Sequence, residues 1–190
     1  MELLEKKILQ YGKVFPGNIL KVDGFLNHQV DPALLVEMGK EIKRLFEGEK
    51  ITKVLTIESS GIAIATFAAY EMGVPFVFAK KSQTKNISAE LYTTQVMSYT
   101  HGKVYDIVVS KEYLLPSDRI LIVDDFLANG KALIGLIDLC NQAGATVVGC
   151  AIAIEKAFQG GGDEIRKTGI RIESLAKVAS MTDKDVTFCR

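Results

Sequence analysis

Short apolar runs that alternate with helical segments are the strongest constraint on the fold of this chain. The clearest runs lie at 52–57, 119–123 and 145–154, and each has an aliphatic centre: Val54-Leu55 in the first, residues 120–123 (ILIV) in the second and most of the third. Strands that are apolar along their whole length are buried on both faces, whereas half-exposed strands alternate. Strands joined by helices pair in parallel. We therefore predict an α/β fold with a parallel sheet flanked by helices on both faces.

The other predicted elements follow from periodicity and from turn residues. Leu4, Ile8 and Tyr11 form one stripe of an N-terminal helix, and Asp31-Pro32 is typical of a helix start. The polar stretch 80–100 predicts a loop. The remaining predictions are a short strand at 18–22, strands at 74–79 and 103–109, helices at 60–71 and 133–142 that end at Gly73 and Gly144, and a helix from Pro32 that ends near Gly48.

Composition narrows the class of protein. The 190 residues suit one domain over 1–190, and 23 basic residues balance 23 acidic ones. A net charge of zero argues against a non-specific nucleic-acid binder, which needs a cationic surface. The three cysteines form no CxxC pair, and the N-terminal residues show no apolar signal segment. We expect a cytoplasmic protein with no nucleic-acid partner and no membrane partner.

The most informative segment is 120–132, with the sequence ILIVDDFLANGKA. An aliphatic strand ends in Asp124 and Asp125, and a turn with Gly130 then leads into a helix. Ligands of α/β sheets bind beyond the carboxyl ends of strands, and a helix N-terminus attracts phosphate. Two acids beside a phosphate site suit the hydroxyl groups of a sugar, so the segment predicts a ribose 5-phosphate site. The same pattern also fits a solvated turn followed by a helix cap.

Two longer motifs carry a family resemblance. The sequences VDDFLANGKA (123–132) and LNHQVDP (26–32) resemble the type I phosphoribosyltransferases, and within that family the branch that acts on xanthine. Ala128 and Ala132 depart from most of the family, which has Thr or Ser in this loop. The resemblance implies hood elements around 14–30 and 156–190, and a flexible catalytic loop around 82–100 that contains Ser98-Tyr99.

The resemblance also implies a site for phosphoribosyl pyrophosphate. Asp124 and Asp125 would be the catalytic residues that hold the ribose. The turn 58–61 (ESSG) exposes main-chain N–H groups to the pyrophosphate, although an ordinary turn with a serine helix cap has the same pattern. The implied binding residues are Ser59, Ser60, Lys81, Ala128, Asn129, Gly130, Lys131 and Ala132.

Recognition of the purine rests on four further positions. Lys156 would donate to the 6-oxygen, which favours an oxopurine over adenine, and Phe158 would stack on the ring. Leu20 and Asn27 would lie in the hood over the base. Their residue types alone favour a core leucine and a turn asparagine.

The implied reaction transfers ribose 5-phosphate from phosphoribosyl pyrophosphate to N9 of xanthine and releases pyrophosphate. Mg²⁺ would be bound mainly through the diphosphate substrate, without a protein metal site. A homodimer is implied as well. Three alternatives stay open: a guanine or hypoxanthine enzyme, a transcription regulator of the same fold that senses phosphoribosyl pyrophosphate, and a non-catalytic nucleotide-binding protein.

Overall fold

The computed structural model describes residues 1–82, 90–97, 104–182 and 185–190. Within them, every helix is too short or too polar to span a bilayer. The helices are α1 (Glu2–Tyr11), α2 (Pro32–Leu45), α3 (Ser60–Met72), α4 (Lys131–Ala143) and α5 (Gly161–Arg166). The strands are β1 (Lys13–Phe15), β2 (Ile19–Lys21), β3 (Lys53–Ile57), β4 (Phe76–Ser82), β5 (Leu91–Met97), β6 (Val104–Ser110), β7 (Arg119–Leu127), β8 (Thr146–Lys156), β9 (Ile172–Thr182) and β10 (Asp185–Phe188).

Eight strands form one sheet in the order β10-β9-β8-β7-β3-β4-β6-β5. The five central strands, from β9 to β4, are parallel, and the strands at the two edges pair in antiparallel fashion. The chain leaves β3 towards β4 on one side, whereas β7 leads to β8 on the other side. Loops that follow β3 and β7 therefore diverge at the same edge and leave a crevice between them, which is where ligands bind in such sheets.

Helices cover both faces of the sheet, as the apolar runs predict. Along β7, Leu121 and Val123 join the hydrophobic cluster under α2 and α3, while Ile120 and Ile122 join the cluster under α4. All four side chains are fully buried. This double burial explains why the strand contains no alternating polar positions.

Several predicted helix boundaries are confirmed. Asp31 caps α2 by accepting the Leu34 N–H at 3.2 Å, with Pro32 as the first helical residue. Gly73 and Gly144 end α3 and α4 in the left-handed region, with φ of 70° each. The helix predicted to end near Gly48 already ends at Leu45.

Two predictions need correction. Tyr11 is 52% exposed, so only Leu4 and Ile8 of the predicted stripe of α1 enter the core. The polar stretch 80–100 includes the end of β4 and the whole of β5, because β5 pairs with β6 and buries Val96 against the sheet. Ser98-Tyr99 lies outside the described residues.

The two segments predicted to form the hood, 14–30 and 156–190, differ in their relation to the central sheet. In the N-terminal segment 14–30, β1 and β2 form a separate hairpin and residues 23–27 form a π-helical turn. In the C-terminal segment 156–190, β9 and β10 extend the central sheet.

Candidate active site

The acid pair lies near the carboxyl end of β7, inside the strand. Asp124 is only 4% exposed, and Asp125 is half-buried. The main-chain N–H of Asp125 donates to Asp124 Oδ1, and that of Phe126 donates to Asp125 Oδ1, both at 2.9 Å. A solvated turn with a helix cap is therefore wrong for this pair.

Burial and the neighbouring charge of Asp125 raise the pKa of Asp124 well above its usual value. The charge of Lys81, which lies on β4, lowers the pKa of Asp124 and so opposes this shift. Burial raises the pKa of Tyr105, and the charge of Asp124 raises it further. A Cβ atom placed on Gly61 would lie 3.2 Å from Asp124 Oδ1. Asp124 therefore lies against the N-terminus of α3, beside the turn that follows β3.

The loop 128–130 joins β7 to α4. Gly130 adopts a φ of 78°, which places it in the left-handed region that glycine tolerates, and α4 begins at the next residue. Asn129 Oδ1 accepts the N–H of Lys131 at 3.2 Å, and the Lys131 side chain is exposed. Ala132 is half-buried. The arrangement gives a helix N-terminus with a cation beside it, as the sequence predicts.

The second turn, 58–61, lies between β3 and α3. Ser59 is exposed, its peptide bond with Glu58 is cis, and its side chain does not cap α3 in the described structure. Ser59 therefore occupies the N-cap position of α3, as the serine-cap alternative has it, but its hydroxyl does not make the capping hydrogen bond. Glu58 Oε1 accepts the main-chain N–H of Lys81 at 2.5 Å, which ties the turn to β4. The Lys81 ammonium lies 5.4 Å from the centre of the Tyr105 ring.

A third group of residues surrounds Lys156 at the end of β8. Its ammonium donates to the carbonyl of Asn18 at 2.8 Å and lies 5.3 Å from the centre of the Phe126 ring. Partial burial lowers the pKa of Lys156. The contact connects the N-terminal hairpin with the residue that follows the acid pair.

Leu20, Asn27 and Phe158 are not linked to the acid pair by a hydrogen bond or ion pair within the described residues. Leu20 is buried in the core under α2, and Phe158 is 39% exposed. Asn27 is half-buried, and its Oδ1 atom is buried without a hydrogen-bond partner in the described part of the chain. Such an unpaired acceptor costs free energy unless a ligand supplies a donor.

Sequence reasoning missed three residues around the site. Thr56 lies below Gly61, and its buried Oγ1 has no partner among the described residues. Phe126 contacts Lys156, and Gly161 packs on the loop 128–130. The run Gly160-Gly161-Gly162 was the one available signal, since consecutive glycines often mark a close approach of two backbones.

Comparison with known proteins agrees with this geometry. Residues 30–179 match the family described as "Phosphoribosyl transferase domain". The chain belongs to this family. It is 59% identical to xanthine phosphoribosyltransferase from Lachnoclostridium phytofermentans, over 98% of this chain and 96% of the relative. It is 52% identical to xanthine phosphoribosyltransferase from Bacillus cytotoxicus, over 99% and 95%.

A solved structure of the phosphoribosyltransferase family has the same fold. The adenine phosphoribosyltransferase from Rhodothermus marinus superimposes with a TM-score of 0.73 at 25% identity, over 93% of this chain and 99% of that one. The fold is therefore the type I phosphoribosyltransferase fold.

Proposed function

We propose that the chain transfers ribose 5-phosphate from phosphoribosyl pyrophosphate to N9 of xanthine, giving xanthosine 5'-monophosphate and pyrophosphate. The observation that carries the proposal is the buried acid pair next to the start of α4, in a chain that is 59% identical to a xanthine phosphoribosyltransferase. This combination favours a purine-salvage enzyme over a non-catalytic binding protein.

The 5-phosphate is assigned to the loop 128–132. Main-chain N–H groups at the start of α4 would bind its oxygens, and the positive end of the helix dipole would favour its charge. Lys131 adds a full positive charge at that position. Because Ala128 and Ala132 have no hydroxyl group, the main chain and Asn129 must supply the remaining contacts.

The ribose is assigned to Asp124 and Asp125. The carboxyl oxygens of the pair can accept from the ribose hydroxyl groups, and the raised pKa of Asp124 favours its protonated form, which can also donate. The pyrophosphate is assigned to Ser59 and Ser60, at the N-terminus of α3, with Lys81 on the adjoining strand. Asp124 lies against that N-terminus, which would place the ribose between the two anion sites.

The purine is assigned to Lys156, with Asn27, Leu20 and Phe158 around it. The Lys156 ammonium would donate to the 6-oxygen in place of the Asn18 carbonyl. A ring N–H of xanthine would satisfy Asn27 Oδ1. Phe126 joins Phe158 as a candidate for stacking, since its ring already lies against Lys156.

In the reaction, the bond from C1 of the ribose to the pyrophosphate oxygen breaks, the bond from C1 to N9 forms, and xanthine releases one proton to solvent. The transition state is expected to resemble an oxocarbenium ion, so the protein positions the reactants and excludes water. Mg²⁺ would be bound mainly through the diphosphate substrate, whose oxygens suit a hard cation. Its charge would offset that of the departing pyrophosphate.

The proposal extends to a homodimer in the cytoplasm, as the family resemblance implies. Light scattering on the purified chain measures the dimer directly, and a monomer at micromolar concentration would contradict it.

The decisive experiment is a steady-state assay with phosphoribosyl pyrophosphate, Mg²⁺ and each of xanthine, guanine, hypoxanthine and adenine. We expect kcat/KM to be at least tenfold higher for xanthine than for any other base. A preference for guanine or hypoxanthine would overturn the assignment of the base, and no product with any base would overturn the enzyme.

A further inference from the structure

The short helix α5 packs directly against the loop 128–130. The N–H of Gly161 donates to the carbonyl of Ala128 at 3.2 Å. A Cβ atom on Gly161 would lie 2.6 Å from the nitrogen of Gly130, and one on Gly130 would lie 2.8 Å from Ile165 Cδ1. A side chain on Gly161 would require the main chain of the loop to move, whereas one on Gly130 would require the Ile165 side chain to shift. The main chain of 128–130 and α5 are therefore in direct contact.

A helix of six residues needs an external anchor, because so few residues cannot offset the cost of starting a helix. Arg166, the last residue of α5, provides one. Its two terminal nitrogens each donate to one carboxylate oxygen of Glu155 at 2.7 Å. This two-point contact fixes the orientation of α5 as well as its distance from β8.

Glu155 is a rigid partner, because it lies within the central sheet. It pairs with Leu127 of β7 on one side and with Lys177 of β9 on the other, and it is only 1% exposed. Ser174 also donates to it, and the Lys177 ammonium lies 3.7 Å away. Burial alone would raise the pKa of Glu155, but the hydrogen bonds from Arg166 and Ser174 lower it. The carboxylate is therefore ionised and fully engaged at neutral pH.

We propose that Arg166 is a positioning residue for the phosphate loop. Its two-point contact with Glu155 fixes α5 on the sheet, and α5 in turn fixes the main chain of 128–130 through Gly161 and Ile165. The inference rests on the proposed function for its ligand, the 5-phosphate of phosphoribosyl pyrophosphate. Arg166 would not touch the substrate. Lys156 should be affected little, because the strand pairing of β8 holds it independently.

Arg166→Lys tests the proposal, because it keeps the positive charge and loses the two-point contact. We expect KM for phosphoribosyl pyrophosphate to rise about tenfold, while KM for xanthine changes less than twofold. The dissociation constant for ribose 5-phosphate, measured by calorimetry, should rise by a similar factor. A purely structural role would lower the melting temperature without this difference between the two substrates.

The matched control is Lys167→Arg, the reverse exchange at the next residue. Lys167 forms an exposed ion pair with Glu164 at 2.6 Å, so both KM values should stay at the wild-type level. If Arg166→Lys does not fold, Glu155→Gln with Arg166→Met removes the contact without leaving a buried ionised carboxylate. We expect the same selective weakening of ribose 5-phosphate binding in that variant.

Each outcome has a definite meaning. Ribose 5-phosphate binding within twofold of wild type in the folded variant would overturn the role of Arg166, whatever the turnover. An equal rise in both KM values would also overturn it. The proposed reaction and the positioning role can fail separately. If the wild-type chain shows no turnover, the proposed reaction is overturned. The positioning role is still supported in that case if the wild-type chain binds ribose 5-phosphate more tightly than the variant.

Discussion

At the scale of single residues, Asp124 combines properties that oppose stability. Its carboxyl group is buried and close to a second acid, and it shares the space around Gly61 with Thr56, whose buried hydroxyl has no partner among the described residues. An acid with a raised pKa in the folded state costs stability at every pH above its usual pKa, because the unfolded chain ionises more easily. Such local costs are typical of functional sites, where the fold holds groups ready for a ligand.

The Asp124→Asn variant should be more stable than the wild-type protein but less active. Asn cannot ionise, so we expect the melting temperature at pH 7 to rise by roughly 2–4 °C, which corresponds to about 1 kcal/mol for a chain of this size. Turnover should fall by about a hundredfold or more, because one of the two carboxyl groups proposed to bind the sugar is lost. Calorimetry at pH 7 and pH 3.5 checks the cause, because the gain in stability should shrink at the lower pH.

Replacing both acids completes this test. The Asp124→Asn/Asp125→Asn variant should fold and have no measurable turnover. Glu47→Gln/Glu71→Gln is the control, since it removes two acids from a surface pocket that contains neither Asp124 nor Asp125, and it should keep wild-type turnover. Near-normal rates in the Asp124/Asp125 variant would contradict the assignment of the sugar site.

Lys156 allows a second prediction at this scale. Lys156→Met keeps most of the side-chain length but removes the donor to the Asn18 carbonyl, and with it the proposed donor to the purine 6-oxygen. We expect kcat/KM for xanthine to fall by about 10²–10³, while ribose 5-phosphate binding changes less than twofold. Lys21→Met is the control, because Lys21 also lies over a ring, that of Phe15, at 5.2 Å. A loss of ribose 5-phosphate binding would show that Lys156 acts on the phosphate site instead.

At the scale of elements, the sequence predicts those helices and strands that a continuous run of residues specifies on its own. The buried strands β3, β7 and β8 and the helix start at Asp31 follow from local composition. The strand β5 was missed because its polar residues obscured its β-branched and aromatic ones, Tyr92, Thr93, Thr94 and Val96, which favour strands once β6 provides a partner. The role of α5 could not be predicted, since contacts between Gly161 and residues 128–130 depend on how distant segments pack.

The edge strand β5 has an unusual attachment that can be tested. Gln142, near the end of α4, accepts the N–H of Thr93 at 3.3 Å and donates to its carbonyl at 2.9 Å, as a neighbouring strand would. Gln142→Leu should lower the free energy of unfolding by about 1 kcal/mol and speed hydrogen exchange of the Thr93 N–H by tenfold or more. Asn141→Leu, one residue earlier and exposed, should leave that exchange rate unchanged. Equal exchange in both variants would show that the amide does not hold β5.

At the scale of the whole molecule, the two edges of the parallel strands differ in how their polar groups are satisfied. The carboxyl edge carries Asp124, a buried acid beside a second acid, and Thr56, whose buried hydroxyl has no partner among the described residues. At the amino edge, Asp118 binds Lys53 at 2.6 Å, accepts the N–H of Leu115 at 2.9 Å and contacts the Thr52 hydroxyl at 3.2 Å. The amino edge therefore joins β3 to β7 and stabilises the fold, whereas the carboxyl edge holds the acids that the proposed function assigns to the sugar.

This division predicts how stability depends on pH. Burial raises the pKa of Asp118, but its hydrogen bonds outweigh that effect and hold the pKa below the usual 3.8. A lowered pKa stabilises the fold above the unfolded value, and this contribution is lost as pH falls through the folded value. We therefore expect Asp118→Asn to lower the free energy of unfolding by about 1–3 kcal/mol at pH 7 and by much less near pH 3, measured by urea titration. Glu37→Gln breaks the exposed ion pair with Lys40, and it should leave the free energy of unfolding unchanged at both pH values. If Asp118→Asn lowers the free energy of unfolding equally at both pH values, the packing of Asp118 matters more than its charge.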